Sequence, residues 1–402
     1  MRDPETTRHL QSTLQLPCGA ILKNRLAKSS MSDSLADGEG NPTETQIRLY
    51  ERWAEGGVAV SFIGEVQGDP RFPEKPGNLV LGAHSNQDLL QQLTSRAQIE
   101  GAHLWAQLGH AGALSHLPIS KPKGPSALDI EGLHCTGLSI DEIHELPGMF
   151  ATTAAHAKSA GFSGVHIHAG HGFLLSQFLS PLFNHRSDHY GGSIDARCRL
   201  VLEVISQVRR AVGPTFPVGI RINSTDQLEG GLTELDALEV VRLLDKTSID
   251  LIDISGGTYF PGAKASSDGA SQGPYFLDFA RLAREVTDIP LMLTGGFKNR
   301  AQAVDAVVSG TVDMVGLARA MALDPQLTSY WLSEAGRDPV FPKFEVAPPG
   351  GLTAWYTMRL TALGEDREEK FELDIPSAVR EYEERDARRC IRWRKAFADL
   401  PT

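Results

Sequence analysis

The sequence predicts a closed eight-stranded β/α barrel, and three observations carry that prediction. From Leu26 onward, short apolar runs rich in Val, Ile and Leu alternate with longer amphipathic stretches, the pattern of parallel strands buried on both faces with helices between them. Eight such units can be counted, in a chain long enough for a barrel of about 250 residues. No G-x-G-x-x-G opens a helix after a strand, so the competing open, doubly wound sheet lacks its usual first turn.

In order, the candidate strands are Leu26 to Met31, Val58 to Val66, His103 to His110, Gly164 to His171, Val218 to Asn223, Leu251 to Gly257, Pro290 to Gly296 and Asp313 to Arg319. The helical stretches between them are Thr45 to Glu55, Asn86 to Glu100, Asp141 to Ser159, Asp195 to Ala211, Glu234 to Lys246, Phe276 to Val286 and Arg300 to Ser309. Ahead of the first strand, Leu14 to Leu22 with Pro17 to Gly19 at its centre reads as a short hairpin that could plug the barrel floor. After about Glu334 the alternation stops. A Pro/Gly run, Ala347 to Gly351, leads to a highly charged stretch from Ser377 to Leu400, expected to be helical and to pack outside the barrel or on a neighbouring subunit. The fold class is thus α/β, a (β/α)8 TIM barrel with an N-terminal β-hairpin and a C-terminal helical extension. We read one domain over residues 1–402, with the core at about 26–335, the hairpin at 14–25 and the extension at 336–402.

Bulk properties narrow the function classes. With 41% hydrophobic and 22% charged residues, the chain can bury a large core, which excludes disorder. A net charge of −11 opposes a nucleic-acid partner, and no apolar run approaches bilayer length. The expectation is a soluble, cytoplasmic protein with a small-molecule partner. Cys18, Cys135, Cys198 and Cys390 show no C-x-x-C spacing, so they read as reduced structural thiols.

In such a barrel the chemistry sits at the carboxyl ends of the strands. Read together, those ends carry Ser29, Ser30, Met31 and Ser32, then Glu65-Val66, Gln107, His166, His168 and His171, Arg221, Ser255, Gly295-Gly296 and Ala318-Arg319. Gly295-Gly296 alone could be a tight turn. On the strand beside Ala318-Arg319 the pair suggests a phosphate site, with bare N–H groups, a following helix start and a bidentate guanidinium. His168 and His171, three apart, can donate to one oxygen atom and polarise a carbonyl, while His166 reads as core or as support for its neighbours. His166-x-His168 also has the look of a binuclear metal site, but Arg221 and Arg319 on other strands disfavour a cation, and no metal is expected. Arg221 lies in an otherwise apolar run and must be paired, either structurally, for example with Glu65, or against an anionic cofactor state.

These residues resemble a known family. Leu22-Lys23-Asn24-Arg25-Leu26, Ser29 to Ser32, Gln107-Leu108-Gly109-His110-Ala111-Gly112 and the long motif from His168 through Gly192-Ser193 to Arg197 together resemble the Old Yellow Enzymes, FMN-dependent ene-reductases. The likeness runs from about Pro17 to Pro325, nearest the compact bacterial and fungal branch. It implies that Ser29 to Ser32 and Val66 line the flavin, Gln107 meets its pyrimidine edge, and Arg221 balances the reduced ring. It also implies that Gly295, Gly296, Ala318 and Arg319 hold the phosphate, and that His168 and His171 bind an enone carbonyl or a nicotinamide carboxamide. NADPH or NADH would reduce the flavin and an enone would reoxidise it, a ping-pong reaction at one shared site. A homodimer is implied as well.

Three departures stand out. Phe173 occupies the place of the family's proton-donating tyrosine and has no acidic proton, which leaves Tyr259 or ordered water as donor. Ser32 stands where relatives carry Cys or Thr, and Ser34 where this branch often has a substrate-binding tyrosine. Desaturation or isomerisation, and a non-catalytic flavin-binding protein, are the alternative readings.

Overall fold

A computed structural model describes residues 4–263, 273–333, 336–344, 348 and 350–398. The barrel strands are β1 (Leu26–Lys28), β2 (Val60–Gln67), β3 (His103–Gly109), β4 (Gly164–Ala169), β5 (Val218–Asn223), β6 (Leu251–Ser255), β7 (Leu291–Thr294) and β8 (Met314–Leu317). Each pairs in parallel with the next in chain order. The ring closes where Val315 of β8 pairs with Leu26 of β1, so no sheet edge is left in the core.

Around the strands lie α1 (Glu44–Glu55), α2 (Gln87–Arg96), α3 (Ile140–Ser159), α4 (Ile194–Val212), α5 (Glu234–Leu244), α6 (Leu277–Arg284) and α7 (Arg300–Val308). One local device starts six of them. Thr43, Asn86, Ser139, Ser193, Thr233 and Asn299 each accept a hydrogen bond from the backbone N–H three residues on, which satisfies a first-turn donor that the helix cannot.

The expected hairpin forms, pairing Leu14 with Leu22. Its apolar side chains, with Leu16, pack on Phe62, Trp105, Leu251, Met292 and Met314, filling the floor of the barrel. Trp105 takes the remaining volume: a Cβ at Gly164 would lie 2.6 Å from its ring and one at Gly219 3.0 Å. A helix at Pro4–Gln11 and a small sheet of Lys123–Gly124, Leu128–Ile130 and Leu133–Gly137 were not foreseen.

The C-terminal extension packs on its own barrel. Helix α8 (Gly351–Gly364) lies against α1, so closely that a Cβ at Gly364 would fall 2.2 Å from the Thr45 carbonyl oxygen. Trp355 and Tyr356 are 9% and 4% exposed, and Trp355 meets Phe344 and Phe371. Helix α9 (Ile375–Ala396) then crosses the rim, tied to the loops after β1, β2 and β3. Arg392 donates to the Asp37 carbonyl at 3.1 Å, Trp393 Nε1 to Pro70 at 3.0 Å and Arg394 to Pro118 at 3.0 Å. Part of the expected Pro/Gly run (347 and 349) and the end of the charged stretch (399–402) lie outside the described residues. Among the described residues no helix is long and apolar enough to cross a membrane.

Candidate active site

Strand register assembles the first part of the site. His168 on β4 pairs with Arg221 on β5, and Arg221 with Asp253 on β6, so the three stand side by side at one level. Arg221 Nε donates to Asp253 Oδ2 at 2.7 Å, and its other nitrogens reach Ser29 Oγ, Thr294 Oγ1 and the Ser30 carbonyl. Burial raises the Asp253 pKa and the guanidinium opposes that rise. The pairing suggested from sequence, Arg221 with Glu65, is corrected: Asp253 is adjacent in register, whereas Glu65 lies on β2 and is engaged elsewhere.

Glu65 reaches across β3 to β4. Its Oε1 lies 3.3 Å from His168 Nε2, and its side chain passes over Gly109, where a Cβ would meet Glu65 Oε2 at 1.8 Å. Burial first, then the nearby Glu74 carboxylate, pushes the Glu65 pKa well above the usual carboxyl range. Burial holds His168 well below the ordinary imidazole value, helped by His171 and Arg221. His166 is lowered in the same way, with Nδ1 3.1 Å from Gln107 Nε2. His171 is lowered to about 3 by burial and by Arg221. The imidazoles are therefore neutral at physiological pH.

His171 adopts φ +60°, a left-handed conformation that costs a non-glycine residue about 1 kcal/mol or more. Its N–H donates to Asn223 Oδ1 at 2.9 Å, and its Nε2 lies 2.9 Å from Ser255 Oγ. The two rings meet edge to face, 5.3 Å apart. Phe173, 6% exposed, lies 5.2 Å from His168 and 5.9 Å from Tyr259, centre to centre. The Tyr259 ring is 64% exposed. Local desolvation, then the Glu74 and Glu65 carboxylates, pushes its phenol up to about 12.

After β1, Ser29 Oγ lies 3.0 Å from Thr294 Oγ1, and Ser32 donates to Glu74 Oε2 at 2.7 Å. Met31 is half-buried and Val66 is buried in β2. Ser34, expected in the substrate pocket, is 1% exposed, and its carbonyl accepts from Arg389 of α9.

On the opposite side of the rim, Gly295 (φ +121°) and Gly296 (φ +85°) leave β7 in conformations that favour glycine. A Cβ on Gly296 would lie 2.2 Å from the Gly273 carbonyl oxygen. With Ala318 and Arg319 they line a cavity of about 350 Å³, closed from the other side by Phe344 and Tyr356. The helix after β8, Arg319–Leu323, is a single turn, so an anion here would meet backbone N–H groups and the Arg319 side chain rather than a long helix dipole. Arg319 lies 5.8 Å from the Tyr356 ring centre and has no carboxylate partner among the described residues. Between cradle and histidines, Ser30 Oγ, Glu65 Oε2, Gln67 Oε1 and His168 Nδ1 are buried without a hydrogen-bond partner among the described residues. Unmet buried groups cost about 1–3 kcal/mol each. A polar planar ring joined to a phosphate fits this donor and acceptor set.

The histidines, Arg221, Gly295-Gly296 and Ala318-Arg319 stand at the strand ends where the sequence places them, whereas Asp253, Thr294 and Glu74 are not marked by sequence reasoning. Asp253 had a signal, an acidic residue inside the apolar run Leu251–Ser255 that must find a buried partner. Glu74 had none, since only the path of its loop returns it to Ser32.

The barrel rim thus sets a glycine-lined cavity with the Arg319 guanidinium beside a buried Arg–Asp pair and buried histidines. Comparison with known proteins gives the family. The model of the NADH:flavin oxidoreductase / NADH oxidase family matches residues 18–334, and the chain belongs to that family, the Old Yellow Enzyme family its motifs resemble. It is a flavin-dependent enzyme with FMN as cofactor and a reduced nicotinamide dinucleotide as reductant. The NADH-dependent flavin oxidoreductase iliE of Hypocrea jecorina is 34% identical over 79% of this chain and 88% of its own length. An Old Yellow Enzyme homologue from Zymomonas mobilis superposes with a TM-score of 0.72 at 22% identity, over 87% of this chain and 98% of that one. 2-Naphthoyl-CoA reductase superposes with a TM-score of 0.75 at 25% identity over 80% of this chain, which spans about half (52%) of that longer chain.

Proposed function

We propose that the protein reduces the C=C bond of α,β-unsaturated carbonyl compounds, with NADH or NADPH and the alkene using one site in turn. The observation that carries this reading is the pair of neutral, buried imidazoles of His168 and His171, set edge to face beside an aromatic wall. When bound, FMN supplies two-electron chemistry, taking hydride from the nicotinamide and passing it to the alkene β-carbon. Ser29, Ser30, Met31, Ser32, Val66 and Gln107 would hold its ring, and Gly295, Gly296, Ala318 and Arg319 its phosphate. Arg221, already fixed by Asp253, presents a positive charge that needs no reorganisation when negative charge develops nearby. His168 and His171 orient the carbonyl oxygen and draw electron density from the β-carbon. Phe173, buried beside His168, forms the wall that keeps water from the reacting atoms.

An anaerobic absorption titration tests this. Yellow protein should bleach with NADH or NADPH and regain its colour on adding cyclohexenone. Bleaching without recovery across a broad panel of activated alkenes would reject alkene reduction while leaving the flavin in place.

A further inference from the structure

Hydride addition at the β-carbon leaves an enolate that must take a proton, and Phe173 has none to give. We propose that Glu65 and His168 form a proton relay that supplies it, with Gly109 as the gap through which the carboxyl group of β2 reaches the imidazole of β4. The inference rests on the alkene-reductase reading above.

The arrangement carries it. Glu65 Oε1 is 3.3 Å from His168 Nε2, both residues are at most 5% exposed, and any side chain on residue 109 would block the crossing. Each member has one open atom, Glu65 Oε2 and His168 Nδ1, without a partner among the described residues. The other ionisable groups around the pair are committed or unsuited. Asp253 is tied to Arg221, Glu74 accepts from Ser32 and Asn78, and His171 Nε2 faces Ser255. His166 holds Gln107, and Tyr259, largely exposed to solvent, is told apart from the relay by the Tyr259→Phe variant below. Burial favours the protonated form of Glu65 and the neutral form of His168, the states in which a relay begins.

The step balances. The hydride pair forms the new C–H bond at the β-carbon, and the displaced π pair becomes the enolate. His168 Nδ1–H protonates the α-carbon while Nε2 takes the proton of Glu65, leaving a carboxylate beside the other imidazole tautomer. Once product has left, solvent protonates Nδ1 and the Nε2 proton returns to the Glu65 carboxylate, which resets the pair. Reduced flavin is the only reductant required.

Glu65→Gln keeps the shape and a donor to His168 but removes the transferable proton. Alkene-dependent reoxidation should slow by about 10²-fold, with the alkaline limb of its pH profile flattened, while flavin reduction by NADH changes by less than about 2-fold. Infrared spectra of the resting protein should show the carbonyl stretch of a protonated carboxylic acid that moves in D2O and is absent from Glu65→Gln. Gly109→Ala, which leaves Glu65 in the chain but blocks its crossing, should reproduce the kinetic loss. Wild-type reoxidation in Glu65→Gln, or loss only in Tyr259→Phe, would overturn the relay. So would the lack of that infrared band in the wild-type protein. If no alkene reoxidises the wild-type flavin, the reductase reading fails instead, and the infrared band still reports on the proton.

Discussion

The two sides of the rim hold their ligands by different means. On β7 and β8 the cradle is made of backbone, two glycines at positive φ beside Ala318, with one guanidinium to spare. Across β2, β4, β5 and β6 it is made of side chains, in which every charge leans on a residue from another strand. The cradle can lose a contact and keep its shape. The charged side cannot, because each member it loses leaves a partner stranded in a low dielectric.

The largest expected effect comes from stranding such a partner. Arg221→Met leaves Asp253, 0% exposed, without its cation and should cost about 3–5 kcal/mol in urea unfolding of the apoprotein. Adding Asp253→Asn should recover most of that. A loss below about 1 kcal/mol would mean the two sides do not differ in this way. Next comes the cradle. Gly296→Ala puts a Cβ 2.2 Å from a backbone carbonyl and should weaken FMN binding by about 10²-fold, roughly 2.7 kcal/mol, while apoprotein stability moves by only about 1 kcal/mol. Equal losses in both would show that the cradle also is a keystone of the fold.

A third test reads a slope with pH and uses a buried charge outside both regions. Lys28, 1% exposed, donates to the Ser29 carbonyl at 2.7 Å and lies 4.3 Å from the Trp53 ring centre. Burial pulls its pKa down to about 7, against some upward pull from Asp33. Between pH 7 and 10.5 the unfolded chain holds this proton and the native one does not, so stability rises with pH there by up to about 1.4 kcal/mol per unit. Lys28→Met should remove that part of the slope. Asp33, raised to about 6 by burial, acts in the opposite sense at lower pH: stability falls as pH rises from about 4 to 6.

How much was legible in the sequence follows the same division. Strand runs, helix caps and Gly-Gly turns are local, and they gave the barrel, the cradle and the histidines at the strand ends. Side-chain partnerships are set by register between strands, so Arg221 was recognised as needing a partner but was matched with Glu65 instead of Asp253. The place of the extension stayed open for a related reason. Its charged helix suits the outside of the barrel or a neighbouring subunit alike, and only the fold shows α1 and the rim loops of the same chain against it. The Ser32–Glu74 contact depends on a loop returning to β1, and no spacing in the sequence encodes it.

Closure of the ring sets an order in time. Arg25 donates to the carbonyl of Asp313, 288 residues further along, and β1 finds its β8 partner only there. At bacterial or eukaryotic elongation rates, roughly 15–60 s separate the synthesis of those two residues. Throughout that interval one edge of β1 has no neighbour. A nascent chain of this kind needs its first strand sheltered from other open edges, and newly made protein acquires its yellow colour only after the last strand has emerged.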